Sequence, residues 1–295
     1  MNDAASVTDV VQRAMSRTAD PRLREVMASL VKHLHAFLRE VQPTPEEYER
    51  GLDFLLRVGQ ASGPTKNEMV LLSDLLGAST LIVMLEKERA GGGGTDPALL
   101  GPFWRDNSPL TPNGVSIVRS PTPGPALYVT GRLCDPQGRP IPAVEIDVWH
   151  SSPVGRYENQ DPDQADMNLR GRFRTSEDGI FSFRTVKPAG YPVPTGGPVG
   201  DLLRAQLREP YRPAHLHVMG YTPGYKTLVT QVFVPDDPYI ESDVVFGVTR
   251  ELMGDYRRHD NGQPPSPDVT APWYTLSHTF VMEPGEAKRP VPPIK

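Results

Sequence analysis

Apolar residues in the first ninety positions recur every three and four residues, the spacing of one face of an α-helix. Asp20-Pro21 offers an N-cap followed by proline at the first helical position. Leu23, Val26, Met27, Leu30, Val31, Leu34, Phe37, Leu38 and Val41 then form one stripe. Thr44-Pro45-Glu46-Glu47 and Thr65-Lys66-Asn67-Glu68 each read as a capping box that opens a further helix. The last helix, over about Lys66 to Arg89, is apolar around much of its circumference. It is therefore expected to pack inside its own domain or against a second subunit. Gly91–Gly94 ends it.

Beyond the glycines the period changes. Pro- and Gly-rich loops separate short alternating or apolar runs at Ala126–Leu133, Ala143–Trp149, Gly179–Thr185, His215–Gly220, Leu228–Val234 and Thr275–Met282. Asp135-Pro136-Gln137-Gly138 and Glu177-Asp178-Gly179 are turn signals between such runs. The pattern predicts an α+β chain. A helical domain over residues 1–100 precedes an antiparallel β-sandwich over residues 101–295.

Composition narrows the function classes. The 295 residues carry a net charge of −5, which gives no reason to expect nucleic acid or an anionic membrane as partner. The 33 prolines and 26 glycines suit long ordered loops. A single cysteine, Cys134, excludes an internal disulfide and a cysteine-rich metal cluster, and fits a reducing cytoplasm. Leu133-Cys134-Asp135-Pro136 reads as a strand entering a turn, so Cys134 is expected to be structural. No apolar run reaches the roughly 18 residues a membrane span needs. Met1-Asn2-Asp3-Ala4 lacks the basic and apolar regions of a signal peptide, and a soluble cytoplasmic protein is expected.

The candidate chemistry centres on Arg212-Pro213-Ala214-His215-Leu216-His217. On a strand His215 and His217 point the same way while Leu216 faces a core, so the imidazoles make half of a metal site. No phosphate-binding glycine loop, Gly-x-Ser-x-Gly elbow or His-Glu-x-x-His is present. Val218-Met219-Gly220-Tyr221 follows the histidines without a carboxylate, which argues against a two-histidine, one-carboxylate Fe(II) site. Tyr157 and Tyr191 lie in loop-like sequence ahead of the histidine strand. A phenolate is a hard anionic donor that a strongly acidic cation such as ferric iron holds ionised at neutral pH. Spacing alone does not select these two among ten tyrosines.

From about Leu99 to Thr249 the chain resembles intradiol ring-cleaving dioxygenases of the catechol and hydroxyquinol type. The resemblance rests on Gly101-Pro102-Phe103-Trp104, Gly131-Arg132-Leu133-Cys134-Asp135, Val144–His150 and Gly155-Arg156-Tyr157. It continues through Leu169-Arg170-Gly171-Arg172-Phe173, Tyr191-Pro192-Val193-Pro194, Arg212–His217 and Thr230-Gln231-Val232-Phe233. It implies Fe(III) held by Tyr157, Tyr191, His215 and His217, with Arg212 and Gln231 beside the bound substrate. It further implies that a ring diol binds through both oxygens and displaces Tyr191, which takes a proton, before O2 attacks the ring. His150 is expected to be a hydrogen-bonding core residue.

For substrate choice, Leu71-Leu72-Ser73-Asp74 resembles the hydroxyquinol-cleaving branch of the family. A carboxylate in an apolar pocket needs a donor, and a third ring hydroxyl supplies one. Leu71, Leu100, Gly101, Pro102, Phe103, Val193, Pro194 and Val245 are expected to complete the walls. Val245 is smaller than the aromatic expected in a catechol-specific pocket. Trp104 and Arg105-Asp106-Asn107-Ser108 depart from the family pattern. The implied reaction opens 1,2,4-trihydroxybenzene to 3-hydroxy-cis,cis-muconate, the tautomer of maleylacetate. A catechol or chlorocatechol 1,2-dioxygenase is the alternative within the class. Outside it stand a prealbumin-like binding sandwich and a zinc hydrolase, both of which would be colourless. The resemblance also implies a homodimer through the N-terminal helices, with phospholipid trapped between subunits as in relatives.

Overall fold

The computed structural model of the chain describes residues 6–63 and 66–292. The proposed Thr65 cap and the Met1–Ala4 terminus lie outside the described residues. The chain divides into two compact units, Met1–Arg57 and Val58–Lys295.

The first unit is built from α1 (Ser6–Met15), α2 (Pro21–Val41) and most of α3 (Pro45–Gln60). Asp20 caps α2 through its side chain, which accepts from Arg22 N and Leu23 N. At α3 the reciprocal cap forms: Thr44 N donates to Glu47 Oε2 and Glu47 N donates to Thr44 Oγ1. Most of the stripe on α2 is left uncovered among the described residues. Leu30 is 54% exposed and Phe37 55%, and Leu52, Leu55 and Leu56 of α3 are exposed as well.

The helix expected over Lys66 to Arg89 is in fact two, α4 (Glu68–Leu75) and α5 (Ala78–Arg89), bent by 70°. Gly77 causes the break. Its φ of 71° lies in the left-handed region where a residue without Cβ costs least, and Gly77 N closes α4 on Asp74 O. Asn67 caps α4 by accepting from Val70 N. The apolar circumference is only partly used within the chain. Leu72 and Leu75 of α4 are buried, whereas Leu81 and Ile82 of α5 are exposed. Among the described residues no single helix is long and apolar enough to cross a membrane.

Two four-stranded sheets follow. One has the order β4 (Ile180–Val186), β1 (Ala126–Cys134), β10 (Trp273–Val281), β9 (Asp255–His259). The other has the order β3 (Arg170–Arg174), β2 (Glu145–His150), β7 (His215–Tyr221), β8 (Leu228–Phe233). The sandwich is not wholly antiparallel: β1 and β10 run parallel. They are the first and last strands of the sandwich, so no hairpin constrains their direction. All six runs singled out in the sequence are strands. β3 and β9 are too rich in arginine to read as strands from their pattern. Between the sheets lie Ile146, Val148, Leu216, Val218, Val232 and Leu276, with Phe173, Phe181 and Phe183. Cys134 is free and buried at the end of β1.

This core leaves the other face of the β3-β2-β7-β8 sheet for chemistry. Alternation sends Leu216 and Val218 inward and His215, His217 and Met219 outward. The outward face is sealed in turn by loops, so nearly every residue of β7 is buried.

Candidate metal centre

Register places the site's floor. In the ladder His217 stands opposite Trp149 of β2 and Gln231 of β8, while His215 stands opposite Phe233. Trp149 stacks flat on His217, with ring centroids 4.5 Å apart and planes 9° from parallel. The two histidines, fully buried, bring their Nε2 atoms to 3.1 Å from each other. His215 Nδ1 donates to Pro213 O at 2.8 Å, which turns the Nε2 lone pair towards its neighbour. Burial, then Arg212, drives the His215 pKa down to about 3. Burial and His215 push His217 well below its usual range. Both rings are neutral, as metal ligands must be.

Two tyrosines close over this floor. Tyr191 begins β5 (Tyr191–Pro192), which pairs with β6 (Tyr211–Arg212) so that Tyr191 faces Arg212 across the ladder. Tyr157 precedes a short 3-10 turn, Glu158–Gln160, and its amide donates to Gln160 Oε1. Gly155, at φ 74°, allows the two segments to touch, since a Cβ there would stand 2.7 Å from Gly190 O. The tyrosine rings meet edge to face at 5.3 Å, with Tyr191 5.6 Å from the His215 ring and Tyr157 6.4 Å from His217. The Tyr157 hydroxyl is sealed from solvent and makes no hydrogen bond of good geometry, although Tyr191 lies against it. Burial, then Tyr191, raises its pKa well above normal.

A buried phenol with an unanswered oxygen costs stability unless something binds it. Beside it lie two neutral imidazoles whose nitrogens face each other. Among the described residues no trio of His, Cys, Asp and Glu side chains converges as a metal site requires. A cation here would draw on the phenols, and that donor set suits a hard trivalent ion.

Arg212 is buried beside the four. Its Nε and Nη2 each lie 3.2 Å from Asp243 oxygens, Nη2 donates to Gln231 Oε1 at 2.8 Å, and Nη1 is 3.5 Å from His215 Nε2. Burial opposes the guanidinium charge, but Asp243 and the tyrosines hold its pKa above the ordinary value. Gln231 Nε2 donates to Leu99 O, which anchors the loop carrying Leu100 to Trp104. Gly101, at φ 73°, lies on His217, where a Cβ would be 3.3 Å from Cε1. Phe103 stacks on Tyr157 at 4.4 Å, and Leu100 packs on the same cluster. Trp104 Nε1 donates to Asp147 Oδ2 at 3.0 Å.

Asp74, on α4, is half-buried within electrostatic reach of Arg212. Burial raises its pKa, while Ser79 and Arg212 lower it. Val245 is buried in the turn after Asp243, and its amide faces that carboxylate at 3.3 Å. Val193 is buried, Leu71 is half-buried, and Pro102 and Pro194 stand at the surface. His150 belongs to the core network, bonded to Ser151 O and Thr185 Oγ1 at 2.7 Å each.

Sequence reasoning did not find Asp243, Asp147 or the pair Glu158–Arg170. Arg170 Nε donates to Glu158 Oε2 at 2.7 Å, and its guanidinium lies 6.0 Å from the Tyr157 ring. No local signal marks an acid whose partner lies 31 residues away, as with Asp243.

Residues 99–283 match the family described as Dioxygenase, and residues 20–94 match Catechol dioxygenase N terminus. The chain is 42% identical to hydroxyquinol 1,2-dioxygenase of Rhizobium sp. (strain MTP-10005) over 89% of this chain and 90% of that protein. It is 39% identical to 6-chlorohydroxyquinol 1,2-dioxygenase of Cupriavidus pinatubonensis over 96% of this chain and 98% of that one. Its fold matches the crystal structure of hydroxyquinol 1,2-dioxygenase from Pseudomonas putida DLL-E4. The TM-score is 0.87 at 38% identity, over 96% of this chain and 99% of the other. A phenol and imidazole cluster on a sheet face, within a fold and sequence shared along nearly the whole length, places this chain in the intradiol ring-cleaving dioxygenase family.

Proposed function

We propose that the protein binds ferric iron through Tyr157, Tyr191, His215 and His217 and cleaves hydroxyquinol between its adjacent hydroxyls, giving 3-hydroxy-cis,cis-muconate. The observation that carries the metal is the sealed Tyr157 hydroxyl, without a hydrogen bond of good geometry, beside two neutral imidazole nitrogens 3.1 Å apart. When bound, ferric iron would supply Lewis acidity that lowers the pKa of the ring hydroxyls and activates the ring towards O2. Both oxygen atoms enter the product.

The side chains divide the remaining work. Tyr191 accepts a substrate proton at its phenolic oxygen. Arg212, fixed by Asp243 and Gln231, presents a permanent positive charge to negative charge that develops on the ring. Phe103 and Trp149 exclude water. Asp74 accepts a hydrogen bond from the third hydroxyl, which would relieve a half-buried carboxylate that burial disfavours. The names of the relatives support this substrate. The uncovered stripe of α2, including Leu30 and Phe37, supports a homodimer through the N-terminal helices.

A visible absorption spectrum of the purified protein, before and after anaerobic hydroxyquinol, tests the reading. A burgundy ferric-tyrosinate band that shifts on addition is expected, together with faster turnover of hydroxyquinol than of catechol. A colourless, iron-free protein would overturn the metal assignment, and faster turnover of catechol would overturn the substrate.

A further inference from the structure

The break between α4 and α5 is tied to the turn Asp243–Gly247 by contacts that the proposed chemistry does not use. Arg208, half-buried just beyond α6 (Pro198–Ala205), spans the two. Its Nη1 donates to Leu75 O and its Nη2 to Val244 O, each at 2.9 Å. Its guanidinium carbon lies 5.0 Å from the Phe246 ring centroid. From the first turn of α5, Thr80 Oγ1 donates to Val245 O at 2.7 Å. Phe246 in turn lies on Gly77, where a Cβ would stand 3.3 Å from the ring.

These contacts join two parts of the pocket. Leu75 follows Asp74 directly, and its carbonyl is one of those a helix end leaves unanswered. Val244 precedes Val245, whose amide faces Asp243 at 3.3 Å, and Gly247 N donates to the same carboxylate at 2.9 Å. One planar guanidinium therefore sets the separation between the Asp74 helix and the Val245 turn. Two carbonyls held by one rigid fork cannot drift independently, whereas a lysine ammonium, a point charge on a flexible stem, would not fix their relative direction.

We propose that Arg208 is a positioning residue for substrate choice: it fixes Asp74 against Val245 so that the pocket takes a ring bearing a third hydroxyl. The proposal rests on the substrate reading above. Arg208→Lys is expected to raise KM for hydroxyquinol about tenfold with kcat changed about twofold at most, because misplacement weakens a contact made on binding. Catechol, lacking the third hydroxyl, should lose at most about twofold in kcat/KM. Thr80→Val removes the second tie and should move the same ratio by about threefold. In Arg208→Lys, amide exchange should accelerate together in residues 74–80 and 243–247, with the 215–231 strands unchanged.

Equal loss on both substrates, or an unchanged ratio in both variants, overturns the clamp if the parent prefers hydroxyquinol and Asp74→Ala removes that preference. If the parent shows no preference and Asp74→Ala is neutral, the substrate reading fails instead. The exchange experiment then decides the clamp alone, and separate or absent acceleration of the two segments overturns it.

Discussion

The floor of the candidate site and its proposed outer wall are held by different means. His215, His217, Trp149 and Gln231 stand on adjacent strands whose ladder fixes their spacing, with core on one side and loops on the other. Asp74 and Val245 stand on a two-turn helix and a tight turn, joined by bonds from Arg208 and Thr80 to backbone carbonyls. Moving a floor residue means breaking a sheet, whereas moving a wall residue means exchanging one side chain. The chemistry is therefore expected to resist change and the selectivity to yield to it.

The sharpest test of that contrast is His217→Ala, which should abolish bound iron and activity together, read by iron content and the visible band. Retained iron would mean that the floor does not bind metal as a unit. Next comes Asp243→Ala, which strands a buried guanidinium. We expect about 100-fold lower kcat/KM on both substrates with iron still present. A stability loss of about 3–5 kcal/mol should appear in denaturant unfolding. A loss confined to one substrate would mean that Asp243 acts with the wall turn it opens and not through Arg212.

Asp147 probes the loop between the two regions. Burial, opposed by Trp104 and Ser108, pushes its pKa up to about 6 in the fold. The carboxyl thus keeps its proton up to about pH 6 in the fold, while in the unfolded chain it ionises near pH 4. Stability should fall as pH rises from about 4 to about 6, by about 2 kcal/mol, and stay reduced above that. Asp147→Asn should remove this slope and be the more stable form at neutral pH; parallel slopes in both proteins would refute the assignment. The smallest effect is expected at the wall. Asp74→Ala should cut kcat/KM for hydroxyquinol about tenfold and that for catechol by less, measured side by side.

The same division governs what could be read before the fold was known. Amphipathic spacing, the caps at Asp20 and Thr44, and alternation across His215-Leu216-His217 are local, and each appears in the structure as expected. Tyr157 and Tyr191 are singled out only by family resemblance, and their rings lie beside the histidine pair and Arg212. Local pattern failed where a distant contact decided the outcome. Gly77 breaks what reads as one helix, with Phe246 lying on it. β1 and β10 pair in parallel across most of the unit, and Arg170 hides in a strand because Glu158 neutralises it.

Hydrophobic periodicity and capping depend on neighbours within a few residues, so the chain by itself determined α2 and α3, most of its strands and which way the histidines point. Which tyrosine meets which imidazole, which acid holds Arg212, and how far Asp74 stands from Val245 depend on segments tens or hundreds of residues apart. Only packing brings those together, because the free energy that fixes them comes from burial and hydrogen bonds absent in any local stretch.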